Sequence, residues 1–146
     1  MKLTIIGTGL IGGSIALKLR EKHFVDFVYG VDQNENHLIE AKELGIIDEG
    51  SSLENAIQNS ELIILAIPVD SARKFLPSVL DLITEKQTVM DVGSTKGGIV
   101  KAVESHHNRN RFVAFHPMWG TENSGPKSAI SDSFAGKAGV ICNQED

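Results

Sequence analysis

One cysteine, Cys142, stands among 146 residues. No disulfide can therefore close within the chain, and no thiolate cluster can hold a metal. The expected place for Cys142 is that of a small buried hydrophobe on a late strand. Long hydrophobic runs are also scarce. The longest, Leu62 to Ile67, has six residues, against the roughly 20 that a membrane-spanning helix needs. Positive charge is not in excess either: with a net charge of −5, the chain lacks the basic face that nucleic acid or an anionic membrane surface demands. Gly7 and Gly9 cut short the apolar start Met1 to Ile6, and no small-residue cleavage site follows, so this is not a signal peptide. A cytoplasmic protein is expected. Repeats, low-complexity tracts and linkers are missing too, which predicts a single domain over residues 1–146.

What is present is a regular alternation. Short apolar runs bounded by turn residues alternate with helical periodicity, the pattern of βαβ units around a mostly parallel sheet. The fold class predicted is α/β, doubly wound. Strands are expected at Leu3–Ile6, Val25–Val31, Leu62–Ile67, Thr88–Val92, Phe112–Phe115 and Lys137–Cys142, with Gly45–Gly50 irregular or a short edge strand. Helices are expected from about Leu10 to Lys22, Asn34 to Leu44, Leu53 to Gln58 and Lys96 to Glu104. A further helix is predicted after Asp70, which can cap it. Its apolar stripe Ala72, Phe75, Leu76, Val79, Leu80, Ile83 is interrupted by Pro77, so a kink or two short helices are expected.

The turn Gly7-Thr8-Gly9-Leu10-Ile11-Gly12 follows the first strand and opens the first helix, the context in which a GxGxxG sequence can cradle a dinucleotide. Gly7 permits the tight turn, Gly9 lets backbone approach a pyrophosphate, and Gly12 lets helix and strand pack closely. Asp32 closes the second strand twenty residues after Gly12, where a carboxylate can bind the ribose diol. The same carboxylate would repel a 2′-phosphate by roughly 1–4 kcal/mol per unit charge at about 4 Å, and residues 33–36 include no arginine or lysine. NAD is therefore favoured over NADP. Ala66-Ile67-Pro68 ends the third core strand at the same sheet edge, either as a cofactor contact or as a plain strand exit.

Two further segments reach that edge. In Asp91-Val92-Gly93-Ser94-Thr95-Lys96-Gly97-Gly98, Ser94 or Thr95 is either a helix cap or a hydroxyl aimed at a ligand, and Lys96 reads as a solvated charge. Phe115-His116-Pro117-Met118-Trp119-Gly120-Thr121-Glu122-Asn123-Ser124-Gly125 reads as a loop after a strand, and loops on a rigid scaffold carry much chemistry. Pro117 restricts the backbone at His116, and an imidazole is a suitable base near neutral pH. The other histidines, His23, His37, His106 and His107, fit a solvated surface. The adjacent pair lacks the i, i+4 spacing of a helical metal site, and no metal is expected.

The motifs GTGLIGGSIALKL, DVGSTKGGI and FHPMWGTENSG together resemble the prephenate dehydrogenase family of tyrosine biosynthesis, along the whole chain. The resemblance implies NAD-dependent oxidative decarboxylation of prephenate to 4-hydroxyphenylpyruvate. It gives His116 the role of base at the ring hydroxyl and makes Ser94 a hydrogen-bonding partner of that hydroxyl and of the histidine. Thr121 and Glu122 would help to shape the substrate pocket. Arogenate is the alternative substrate, and a dinucleotide-binding module without catalysis is the alternative outside enzymes. Family members continue into a helical domain that supplies a homodimer interface and an arginine for the substrate carboxylates. The chain ends at Asp146, and Arg73, Arg109 and Arg111 do not obviously replace that arginine. The expectation is a cofactor-binding part that binds NAD with little or no turnover of its own.

Overall fold

The computed structural model describes residues 1–142; the last four residues of the expected 1–146 domain lie outside them. Seven strands form one sheet: β1 (Lys2–Ile6), β2 (Phe27–Val31), β3 (Glu49–Gly50), β4 (Leu62–Leu65), β5 (Thr88–Asp91), β6 (Phe112–Pro117) and β7 (Gly139–Ile141). Their spatial order is β3-β2-β1-β4-β5-β6-β7. All neighbours pair in parallel except β6 and β7, which are antiparallel. This is the doubly wound α/β fold expected. The order reverses between β1 and β4, and such a switch point leaves a crevice at the carboxyl ends of the strands.

The helices are α1 (Leu10–Glu21), α2 (Glu35–Glu43), α3 (Leu53–Gln58), α4 (Val69–Leu82) and α5 (Gly97–Ala102). The sheet is covered on both faces, which is why its central strands are apolar without interruption. Ile63 and Leu65 of β4 face the cluster that holds Leu76, Val79 and Leu80 of α4. Ile64, between them, faces the opposite cluster with Leu3, Ile5, Ile15 and Val28. Each of these large side chains contributes about 1.5–3 kcal/mol on burial.

Three local expectations are corrected. Helix α4 is a single helix through Pro77 and not two short ones. Burial of Ala72, Leu76, Val79 and Leu80 outweighs a proline penalty of about 3 kcal/mol. Asp70 does not cap that helix: its N-cap is Pro68, with no side-chain cap, and Asp70 sits in the first turn. Cys142 is exposed beyond the end of β7, because this edge strand has no layer over it and Gly139, Val140 and Ile141 are all exposed.

Polar contacts set the helix ends. Asn34 accepts from Asn36 N–H to start α2, and Ser52 accepts from Asn55 N–H to start α3. Asp48 ties α1 to the edge of β2. It accepts from Arg20 Nη2 at 2.7 Å and from Val28 N–H at 2.8 Å. Burial would raise the Asp48 carboxyl, yet Arg20 and the Val28 N–H hold it below the usual carboxylate range.

Asp48→Asn should lower stability by about 1 kcal/mol at neutral pH. Because the folded-state value is depressed, the difference from the parent should shrink as pH falls from about 4 through that lower value, as measured by urea unfolding at several pH values. Gly12→Ala should cost about 1–3 kcal/mol, since a Cβ there would meet the Gly7 carbonyl oxygen, with Ile5 Cγ2 at 2.8 Å and Ala66 Cβ at 3.0 Å. A parent-like melting temperature would contradict the tight packing.

Candidate active site

The turn between β1 and α1 is built for close approach. Gly7 has φ +94°, and a Cβ there would strike the Ala66 carbonyl oxygen. Its N–H donates to Val31 O at 2.8 Å, tying the turn to the end of β2. Gly9 is the N-cap of α1 and offers no side-chain cap, and the first turn carries no acidic residue. The leading N–H groups of a twelve-residue helix are therefore open, with the positive end of the helix dipole, to an anion such as a pyrophosphate. Leu10 and Gly12 are buried beneath the turn, and Ile11 is half-buried at its side.

Asp32 stands at the end of β2 beside that turn. Its Oδ2 accepts from the Thr8 N–H at 3.0 Å and from the Thr8 hydroxyl at 3.1 Å, and its Oδ1 accepts from Asn34 N–H at 2.9 Å. These bonds aim the carboxylate and leave Oδ1, with one bond accepted, acceptor capacity for a diol. A cleft of about 730 Å³ opens here, lined by Gly7, Gly9, Asp32, Ala66, Ile67 and Pro68. Its volume lies within the range of small-molecule and cofactor sites. Ala66-Ile67-Pro68 is thus part of the cleft wall as well as a strand exit.

Sequence reasoning missed three groups in this cleft. His37, assigned to a solvated surface, lines it with Nδ1 3.5 Å from Asp32 Oδ2. Lys74 and Phe75 of α4 supply the facing wall. His37 has a usable signal, since it falls in the first turn of the helix that follows Asp32. Lys74 and Phe75 have none, because their place depends on how α4 lies across the sheet.

On the far side of β5 from β4, β6 runs through His116 to Pro117, with His116 opposite Val140 and Pro117 opposite Gly139 of β7. His116 is held by a strand and does not sit on a loop, which corrects the boundary at Phe115. The antiparallel partner extends β6, and Gly139 allows it: a Cβ there would stand 2.5 Å from the Phe115 ring. His116 is half-buried, whereas Thr121, Glu122 and Ser124 are exposed.

The segment after Pro117 folds back over α1. A Cβ on Gly120 would lie 3.9 Å from Ile11 Cδ1, and one on Gly9 would lie 3.9 Å from Gly125 N. Ser124 reaches the cleft itself. Ser14, fully buried on α1, accepts from Ile130 N–H at 2.9 Å. Lys18 pairs with Asp132 at 2.8 Å, and Trp119 meets the Phe134 ring edge-on with centroids 5.3 Å apart. The two glycine-rich segments, more than a hundred residues apart in the chain, are therefore neighbours.

On β5, adjacent to β6, the turn into α5 presents Ser94 and Thr95 to solvent. Neither caps the helix: the N-cap is Lys96, without a side-chain cap. Lys96 itself is not solvated. Its side chain is 11% exposed and its Nζ lies 2.6 Å from Oδ2 of fully buried Asp91. Ser94 and His116 make no hydrogen bond to each other among the described residues.

Arg109, Arg111 and the paired histidines lie elsewhere, while Arg73 lies over Gly98 of α5. Arg111 donates to Gln87 O and Thr88 Oγ1 near the start of β5, and Arg109 stacks on Phe112. Arg73 is 3.8 Å from Asp70 on the exposed side of α4. The ligand atoms of Asp81, His106 and His107 come within 4.8 Å of one another, a juxtaposition that their sequence spacing hides. There, His106 Nδ1 accepts from Asn108 N–H at 3.1 Å. In neutral His106, Nε2 then carries the proton and donates to Asp81 Oδ1 at 3.2 Å, so a metal at Nε2 would have to displace both arrangements.

Comparison with known proteins agrees with this geometry. The family model described as prephenate dehydrogenase, nucleotide-binding domain, matches residues 15–146. A prephenate dehydrogenase of Bacillus subtilis is 35% identical over 134 residues, covering 88% of this chain and 36% of the relative. The crystal structure of prephenate dehydrogenase from A. aeolicus, in complex with hydroxyphenyl propionate and NAD+, superposes with a TM-score of 0.88 at 33% identity over 99% of this chain and 51% of that one. A Synechocystis arogenate dehydrogenase superposes with a TM-score of 0.86 at 27% identity, over 99% of this chain and 51% of that one. The chain thus spans between about a third and a half of the length of these relatives, and it belongs to the prephenate dehydrogenase nucleotide-binding domain family.

Proposed function

We propose that this chain is the NAD-binding part, residues 1–146, of a dehydrogenase that converts prephenate to 4-hydroxyphenylpyruvate in tyrosine biosynthesis. The observation that supports the reading is His116, fixed by strand pairing at the carboxyl end of β6, with its following segment seated on the glycine turn. The turn fits a dinucleotide because its helix N-terminus is uncapped and Asp32 is aimed at the end of the same cleft.

Bound NAD supplies the hydride acceptor. The chain's own residues handle the proton and the geometry. As hydride leaves the ring carbon bearing the hydroxyl, His116 takes the hydroxyl proton, and the carbon–oxygen bond gains carbonyl character. The ring carboxylate then departs as carbon dioxide, leaving its electron pair to complete the aromatic ring. His116 returns the proton to the phenolate oxygen, so no net proton is consumed. Ser94, on the neighbouring turn, donates to or accepts from the same hydroxyl and is linked to His116 through the substrate. Thr121 and Glu122 line the outer side of that pocket. The homodimer and the completed substrate site belong to the same proposal for the full-length protein, since the chain spans 36% of the Bacillus subtilis relative and 51% of the A. aeolicus one. Among the described residues, no helix is long and apolar enough to cross a membrane, which fits the proposed cytoplasmic enzyme acting on a small molecule.

Arogenate is the competing substrate, favoured by the likeness to the Synechocystis enzyme; comparing kcat/KM for the two acids in the full-length protein decides between them. NAD should raise the melting temperature of this chain and NADP should not, and equal shifts would remove Asp32 from cofactor choice. In the full-length protein, His116→Asn should lower kcat by roughly 10²–10⁴-fold while NAD affinity persists. An unchanged kcat would exclude His116 as the base, and loss of NAD binding alone would point to a structural role.

A further inference from the structure

The chemistry above leaves one buried charged group unused. Asp91 ends β5 with no solvent exposure. Its Oδ2 is well satisfied, by Lys96 Nζ at 2.6 Å and Gly93 N–H at 3.0 Å. Its Oδ1 is equally buried and has no hydrogen-bond partner among the described residues. A carboxylate is costly to bury and needs its acceptors occupied, so an idle oxygen on the strand next to His116 calls for a physical reason.

Register supplies one. Asp91 is paired with Ala114 across the β5–β6 ladder. Side chains alternate along a strand, so His116, two residues beyond Ala114, lies on the same face of the sheet as Asp91. Val89, Phe112 and Ala114 share that face in one apolar cluster, which keeps water away and strengthens any charge interaction there. The charged groups on the surrounding elements are few. Asp91 and Lys96 stand on the β5–α5 turn, and Arg73 of α4 lies over Gly98, its Cδ 3.2 Å from where a Cβ would be. Lys137 leads into β7, and Glu122 follows β6 in an exposed position.

We propose that Asp91 is the positioning residue of His116: its carboxylate, anchored by Lys96, is the counter-charge against which the imidazolium forms when His116 takes the substrate proton. The inference rests on His116 being the base. The two partners divide the task. Lys96 holds Oδ2 and so fixes the carboxylate in place. Asp91 favours the charged imidazole and leaves Oδ1 free for it. Burial pushes the Asp91 carboxyl above the usual carboxylate range, while Lys96, the Gly93 N–H and His116 pull it back. Coupling between two sites is reciprocal: if charge on His116 favours ionised Asp91, ionised Asp91 favours charge on His116.

The test is a proton NMR titration of the histidine rings in the 146-residue chain, which needs no turnover. In Asp91→Asn the His116 midpoint should fall by about half a unit or more. In Lys96→Met, with a cation removed, it should rise, and Lys96→Arg should restore it. The midpoints of His23, His37, His106 and His107 should stay in place in all three. A His116 midpoint that does not move, or that moves in the same direction in both charge-removing variants, overturns the proposal. Should Asp91→Asn fail to fold, the Lys96→Met and Lys96→Arg pair decides alone, by the same criterion. This outcome is separate from the reading of function: an unchanged kcat in His116→Asn would dismiss the base and leave the titration result as it stands.

Discussion

The absence of two β-carbons holds this site together. Gly7 passes so close to the Ala66 carbonyl, and Gly12 so close to the Gly7 carbonyl, that a methyl group at either point would collide with backbone. Backbone cannot yield as a flexible side chain does. The consequence is that β1, α1 and the exit of β4 meet at the switch point without a gap. An uncapped helix end therefore faces the crevice, and the Thr8 N–H and hydroxyl both reach Asp32. Displacing α1 outward would separate its open N-terminal end from the Asp32 carboxylate, and the segment carried on the outer surface of α1 would move with it.

That segment is the second dependency. Residues 118–134 have little regular structure, yet they are tied to α1 by a buried hydroxyl at Ser14 and an ion pair at Lys18, and to themselves by the Trp119–Phe134 contact. The strand before it anchors the other end, where β7 extends β6 through His116 and Pro117. A histidine on a paired strand loses less orientational freedom in reaching a productive geometry than one on a free loop. The fold thus gives its proposed base a fixed place and leaves the exposed Thr121–Ser124 stretch to adapt.

Expectations failed where a local rule met a stronger non-local one. Pro77 should break a helix, and burial of the α4 stripe kept the helix whole. Asp70 and the Ser94-Thr95 pair look like caps, yet both helices begin without side-chain caps, leaving the two hydroxyls exposed at the sheet edge. Cys142 reads as core and is exposed because β7 is an edge strand without cover. Lys96 reads as a surface charge, and a buried aspartate five residues earlier recruits it. In each case a preference of a few tenths to a few kcal/mol yielded to packing or pairing that no window of neighbouring residues records.

The linear sequence by itself determined the alternation of strands and helices, the glycine turn, Asp32 as the acidic residue at the end of β2, and family membership. Those features are local: apolar periodicity, φ requirements and a fixed spacing are carried by adjacent residues. Only the tertiary structure decided that His37, Lys74 and Phe75 line the cleft, that Gly120 and Gly125 lie against α1, and that Asp91 shares a face with His116. Those relations depend on which strands become neighbours and in what register. Register is set by the summed burial of two apolar faces and by the order in which the chain crosses the sheet.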